Sequence, residues 1–197
     1  MKIIRTSTCR TTPWKNGGGS TTEIAVEPPD ASLENFDWRI SMALVASDGP
    51  FSAFDDIDRT LAVVRGNGLV LAIAGNAPVT LDRESDPIQF AGDVATSARL
   101  LDGAITDLNV MTRRQRFVHG LQRIRKPTPC DFDGNDVAVV VCCSGRATLT
   151  AHHEVAMLDR GDAAVLARAD HASFRVAPAA HGDCYLVLLR ERRSQPG

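Results

Sequence analysis

Short apolar runs alternate with polar turn clusters along the whole chain. WRISMALV at 38–45, TLAVV at 60–64, LVLAIA at 69–74, VAVVV at 137–141, ATLTA at 147–151, AAVLA at 163–167 and YLVLLR at 185–190 are rich in Val, Ile, Leu, Ala and Thr. PPD at 28–30, DGP at 48–50, RGNG at 65–68, DGN at 133–135, SG at 144–145 and RGD at 160–162 separate such runs. Evenly spaced strands with Gly, Pro, Asn and Asp between them predict an all-β protein of the sandwich or barrel kind. No segment holds a helical period with caps at both ends, so any helix is expected to be a single short turn.

The pattern also echoes itself. Val63–Gly68, VVRGNG, opens a strand, a Gly-Asp turn at 92–93 and a closing strand through GAITDLNVM. Val140–Gly145, VVCCSG, opens the same order through Gly161-Asp162 to CYLVLLR. Conserved order with weak residue identity suggests two copies of one small β-barrel. The expected division is 1–122 and 123–190, with RKPTP at 125–129 as connector and a frayed tail at 191–197.

Alternation assigns faces. In 38–45, Trp38, Ile40, Met42 and Leu44 read as a core face. Arg39, Ser41, Ala43 and Val45 share the other face. In 107–111, Asp107, Asn109 and Met111 stand opposite Leu108 and Val110. The polar faces either meet water, as one side of an antiparallel strand usually does, or line a barrel interior that holds a ligand.

Composition narrows the function. With 22 basic and 24 acidic residues the formal net charge is -2, so no global basic field exists to hold nucleic acid or an anionic membrane. The start MKIIRTSTCR lacks the apolar core of a signal peptide, and no run approaches the roughly 18 residues of a membrane helix. Five cysteines, none in a CxxC pair, are expected to be free thiols in a reducing, cytoplasmic setting.

The stretch PWKNGGGSTTEI at 13–24 is the strongest local signal. It lacks P-loop spacing, and a strand follows its glycines rather than a helix. Gly17, Gly18 and Gly19 permit a tight crossing that would aim Trp14, Lys15 and Asn16 at one place. A cation, an amide and a flat apolar wall suit a small carboxylate; the alternative is a glycine-rich corner on which Trp14 simply packs.

These stretches are similar to a known family. PWKNGGGSTTEI, WRISMALVASDGPFSAFDDIDRTLAVVRGNGLVL at 38–71 and LLDGAITDLNVMTRR at 100–114 resemble the signature segments of the HutD/Ves family. The resemblance implies a bicupin, two cupin-type β-barrels in one chain. It implies an accessory or regulatory protein of bacterial histidine utilisation, and a ligand such as urocanate or formylglutamate. It places Trp14, Lys15, Asn16, the three glycines, Arg39, Ser41, Phe54, Arg59, Asp107, Asn109 and Met111 at the pocket. The loop Phe54-Asp55-Asp56-Ile57-Asp58-Arg59 departs from the family's Phe-Pro-Gly turn, which leaves the role of Arg59 open.

Many cupins hold a metal. Here His152, His153, Glu154 and His171 imitate such a set, but adjacent histidines on a strand point to opposite faces. No metal or other cofactor is therefore expected, and these histidines are expected on a strand edge and loop. The expectation is a non-catalytic binder of a small anionic metabolite, with Lys15 and Arg39 neutralising its carboxylate, Asn16, Ser41 and Asn109 orienting it, and Trp14 and Phe54 walling it. The rival is a cupin-type hydrolase, isomerase or metal-dependent oxygenase acting on a carboxylated substrate. Neither nucleic acid nor membrane is an expected partner, and a homodimer is left open.

Overall fold

A computed structural model describes residues 1–192. Residues 193–197, which hold most of the expected tail, lie outside the described residues, and Glu191 closes the last strand.

Among the described residues nineteen strands follow one another: β1 (Lys2–Ile4), β2 (Thr11–Pro13), β3 (Gly19–Glu27), β4 (Trp38–Val45), β5 (Gly49–Pro50), β6 (Ile57–Arg65), β7 (Leu69–Ile73), β8 (Val79–Leu81), β9 (Ile88–Ala91), β10 (Thr96–Leu100), β11 (Ile105–Arg113), β12 (Phe117–Ile124), β13 (Thr128–Asp131), β14 (Val137–Ser144), β15 (Arg146–Ala151), β16 (Glu154–Asp159), β17 (Ala163–Ala167), β18 (Ser173–Pro178) and β19 (Asp183–Glu191). Among the described residues the only helical piece is a 3-10 turn at Thr6–Thr8. The protein is all-β, as the turn spacing predicts.

Two compact units result, one Arg10–Gln115, the other Met1–Cys9 together with Arg116 onward. The first pairs a six-stranded sheet, β2-β3-β4-β11-β6-β9, with a four-stranded one, β5-β10-β7-β8. The second pairs β1-β17-β14-β19-β12 with β13-β18-β15-β16. The order β4-β11-β6-β9 in one unit returns as β12-β19-β14-β17 in the other, and β5-β10-β7-β8 returns as β13-β18-β15-β16. The topology thus repeats and the VVRGNG and VVCCSG corners match, but the two Gly-Asp turns do not, one lying between β9 and β10 and the other between β16 and β17.

A cut at 122/123 does not follow these units. β1 pairs with β17 and β12 pairs with β19, so both chain ends of the expected first module belong to the second unit. Arg125–Pro129 is no connector between units either. It joins β12 to β13, and Thr128 and Pro129 already pair with β18.

Each unit has its own apolar core. In Arg10–Gln115, Ala43, Val45, Leu61, Val63, Leu69, Leu71, Leu81, Phe90 and Ile105 pack together. Ala138, Val140, Cys142, Leu149, Leu158, Leu166, Phe174, Val176 and Leu186 do so in the second unit. Burying a side chain of this size contributes roughly 1.5–3 kcal/mol before chain entropy is charged against it.

All five cysteines are free; Cys142, Cys143 and Cys184 are buried, Cys9 and Cys130 half-buried. Cys142 packs into the second unit's core, and its neighbour Cys143, at a break in the β14–β19 register, is buried as well. No described helix is long and apolar enough to cross a membrane.

Candidate functional site

The middle of the six-stranded sheet sets the site. Antiparallel pairing lays out three rows of facing residues. Thr21, Ala43, Asp107 and Val63 form one, and Glu23, Ser41, Asn109 and Leu61 the next. Arg39, Met111 and Arg59 form the third. Directly paired residues point to the same side of a sheet. One face therefore grades from charged to apolar, and the polar end opens on a cavity of about 750 Å³ within this unit.

The polar faces of β4 and β11 line that cavity instead of meeting water: Arg39, Ser41, Asp107, Asn109 and Met111 all border it. The expected core face of β4 is only half one. Trp38 and Ile40 are buried, but Met42 is half-buried and Leu44 is 46% exposed. Apolarity marks the inside of a sheet only where that inside is dry, and here the inner face carries the polar groups.

Trp14, Lys15, Asn16, Phe54 and Arg59 border the same cavity. Gly17, Gly18 and Gly19 do not; they shape the corner that delivers their neighbours. Trp14 N donates to Gly19 O at 2.9 Å and Gly17 N to Trp14 O at 3.0 Å, closing a tight loop with Gly17 at φ +71. A side chain at Gly19 would run into the Leu44 carbonyl oxygen and lie 3.0 Å from the Trp14 ring. Trp14 Nε1 donates to Thr21 Oγ1 at 2.8 Å, which fixes the indole as a wall.

Two assigned roles need correction. Asn16 Oδ1 accepts from Gly18 N at 3.0 Å, so its oxygen stabilises the turn and only its amide N–H groups are left for a ligand. Arg39 is not a free cation: Nε donates to Glu23 Oε2 at 2.7 Å and Nη1 approaches Ser41 Oγ at 3.4 Å.

Arg59 is the centre of the site. It is 5% exposed, with its guanidinium carbon 5.0 Å from the Phe51 ring centroid, 5.3 Å from Phe90 and 5.6 Å from Phe54. Nη1 donates to Ser52 O at 3.2 Å and Nε to Asn109 Oδ1 at 3.3 Å. Burial pushes its basicity down to about 10, against the pull of Asp107 and with the added push of Arg39. A cation caged by three aromatic faces keeps unspent hydrogen-bonding capacity. The loop at 54–58 differs from the family pattern, yet Arg59 lies on β6 beside Met111 and its place is set by that register.

Asp107 is 1% exposed, and no hydrogen bond of good geometry reaches either carboxylate oxygen among the described residues. Burial raises its carboxyl to about 7; the Arg59 charge, the Ala43 amide and Asn109 oppose that rise more weakly. Four basic side chains, Arg10, Lys15, Arg39 and Arg59, border the cavity against the acids Glu23, Asp48 and Asp107. The balance favours an anion, and more so when Asp107 is protonated. Glu23 and Arg10 escaped the sequence reading. Glu23 is in phase with Thr21 on β3, a signal that was present but shared with any solvated strand face.

The histidines do not form a metal site. His152 and His153 occupy the two-residue turn between β15 and β16, where Ala151 pairs with Glu154, and both are exposed, His152 at φ 52. His171 is buried in a loop rather than exposed, and its Nε2 stands 4.0 Å from Glu154 Oε1. Among the described residues no three His, Cys, Asp or Glu side chains are placed to share a metal ion. The donor set does not fit a cupin metal.

The sequence model of the HutD family matches residues 6–185. The chain belongs to the HutD family. This family is linked to histidine utilisation. An uncharacterized 21.2 kDa protein in the hutC 3' region of Pseudomonas putida is 35% identical over 122 residues, 62% of this chain and 63% of that protein. Protein Ves of Citrobacter koseri is 39% identical over 104 residues, 52% of this chain and 53% of its own length. The chain thus spans between half and two thirds of these curated relatives. The structure of HutD from Pseudomonas fluorescens SBW25 superposes with a TM-score of 0.82 at 29% identity, covering 98% of this chain and 99% of that one. A cupin 2 conserved barrel domain protein from Leptotrichia buccalis superposes at 0.55 with 13% identity over 93% and 96% of the two chains, which shows a cupin-like fold.

Proposed function

We propose that this HutD-family protein binds a small carboxylate-bearing metabolite of histidine utilisation, of the urocanate or formylglutamate class, and does not turn it over. The observation that carries this reading is the convergence of Lys15, Arg39 and Arg59 on one cavity of about 750 Å³ walled by Trp14, Phe51 and Phe54. The carboxylate meets Arg59 and Lys15, competes with Glu23 for Arg39, and is oriented by Ser41, Asn109 and the Asn16 amide. Two or three charge-assisted contacts of roughly 1.5–3 kcal/mol each, less the cost of immobilising the ligand, give binding in the roughly micromolar range.

We also read the paired sheets of each unit as a cupin-type barrel, so the chain is a bicupin. The matching strand orders and the cupin-like neighbours support this. The first barrel holds the cavity lined by polar side chains, and the second holds an apolar core. On that reading the protein senses or buffers pathway flux in the cytoplasm, as an accessory or regulator rather than an enzyme.

Calorimetric titration with urocanate and N-formylglutamate tests the reading. Saturable binding to wild type, weakened about 10- to 100-fold in Arg59→Met, is the expected result. Silence from both acids, or turnover of either by purified protein, overturns it.

A further inference from the structure

One charged group of the cavity has no role in holding a carboxylate. Asp107 sits in mid-β11 between Ala43 on β4 and Val63 on β6, on the side of the sheet shared with Asn109 and Met111. It borders the cavity, both its oxygens are closed to bulk water, and no donor meets them in good hydrogen-bond geometry, the nearby Ala43 amide and Asn109 opposing its rise only weakly. A carboxylate buried in this way is costly, and such groups persist where a partner arrives from elsewhere. The charged group that faces it is Arg59 from β6; Arg39 from β4 acts on Arg59 and is itself engaged by Glu23 from β3.

The repeat supplies an internal contrast. Val63 pairs with Asp107 beside a break in the β6–β11 register; beside the corresponding break of the second unit Cys142 pairs with Cys184. Both cysteines there join an apolar core. The architecture therefore accepts a neutral thiol packed among apolar side chains where Asp107 stands, so the fold itself does not require the carboxylate.

We infer that Asp107 is a specificity-determining residue of the cavity, accepting a hydrogen bond from an N–H group of a ligand whose carboxylate lies against Arg59, Lys15 and Arg39. The ligand class is then a small acid that also carries an imidazole, amide or ammonium donor, and not a simple carboxylate. This rests on the anion-binding reading above. A donor reaches the oxygens from inside the cavity by displacing the side chains that screen them, and the long Arg59–Asn109 contact of 3.3 Å is the easiest to open.

Because burial holds the carboxyl at about 7, the two kinds of ligand have opposite proton signatures. A ligand that donates to the ionised carboxylate drives proton release near neutral pH. A ligand that only adds negative charge drives proton uptake.

The test is calorimetry of the full chain with urocanate and with 3-(2-furyl)acrylate, an acid of similar shape whose ring oxygen replaces the N–H, in two buffers of different ionisation heat. Wild type is expected to favour urocanate by about tenfold or more, with proton release at pH 7. Asp107→Leu is expected to bring the two acids within about threefold, by weakening urocanate alone, and Asp107→Asn, which keeps an acceptor oxygen without the charge, to abolish the proton release. Equal binding of both acids to wild type, preference retained in Asp107→Leu, or proton release retained in Asp107→Asn, overturns the inference while leaving the anion reading intact. Binding of neither acid overturns both. Melting curves establish that the variants fold, and Asp107→Asn carries the test through its proton release should Asp107→Leu fail to do so.

Discussion

Arg39 Nε donates to Glu23 Oε2 at 2.7 Å across β4 and β3, so this arginine is engaged by a carboxylate of the protein itself. The pair is partly shielded, with the arginine side chain 12% and the glutamate 30% exposed. A ligand carboxylate must share Arg39 with Glu23 and meets the repulsion of Glu23 as well. Glu23→Gln keeps the shape and removes the charge. It is expected to tighten urocanate binding by about three- to tenfold at low ionic strength, with the gain shrinking in salt. Its stability cost is expected at about 0.5–1 kcal/mol. Unchanged affinity in calorimetry would mean that Glu23 does not restrain Arg39.

Asp107 makes stability depend on pH in a definite direction. Its carboxyl stands at about 7 in the folded protein against 3.8 ordinarily, so folding disfavours the ionised form. The stabilisation is complete below about pH 4, is lost as pH rises, and is gone above about pH 7. The slope approaches about 1.4 kcal/mol per pH unit inside that window. Asp107→Asn abolishes this component, so the variant is expected to overtake wild type by a few kcal/mol between pH 4 and pH 8 in urea unfolding. Parallel pH profiles for the two proteins would show that Asp107 is ionised throughout.

The strands were legible because a period of two survives in one sequence: WRISMALV coincides with β4, and the VVRGNG and VVCCSG echo marks the β6–β7 and β14–β15 corners. What the period cannot say is which face is inside. Leu44 looks like core and is exposed; Asp107 looks like surface and is buried, because the interior of this sheet is a polar cavity. Arg59 illustrates a second limit. Its neighbours Asp55, Asp56 and Asp58 read as a solvated loop, and only the non-local register with Met111 and Arg39 places it at the centre. The unit boundary was misplaced for the same reason. The pairing of β1 with β17, and of β12 with β19, joins residues far apart in sequence and leaves no local mark.

Arg59 has an apolar cage, and that predicts an unusual mutational signature. Arg59→Met matches its length and fits among Phe51, Phe54 and Phe90, so the fold is expected to lose less than about 2 kcal/mol. Anion binding is expected to fall by about 10- to 100-fold, since a largely desolvated cation is removed. Asp107 also loses its countercharge, so its carboxyl is expected to rise above about 7. Carboxyl-carbon NMR titration of Asp107 in the variant reads this directly. A value that stays put would show that burial alone sets it.

The glycine corner separates two costs that a sequence cannot tell apart. Gly17 has φ +71 but open space where a side chain would project, so Gly17→Ala meets only backbone strain, about 1 kcal/mol. Gly19 faces the Leu44 backbone carbonyl, which belongs to a paired strand and cannot retreat, with the Trp14 ring 3.0 Å away on the other side. Gly19→Ala is therefore expected to cost more than about 2 kcal/mol and to shift Trp14 off Thr21. It should weaken ligand binding out of proportion to Gly17→Ala. Urea midpoints and calorimetric titration of the two variants side by side check the ranking. Equal stability and equal affinity would show that the corner is a passive linker and that Trp14 is held by the rest of the sheet.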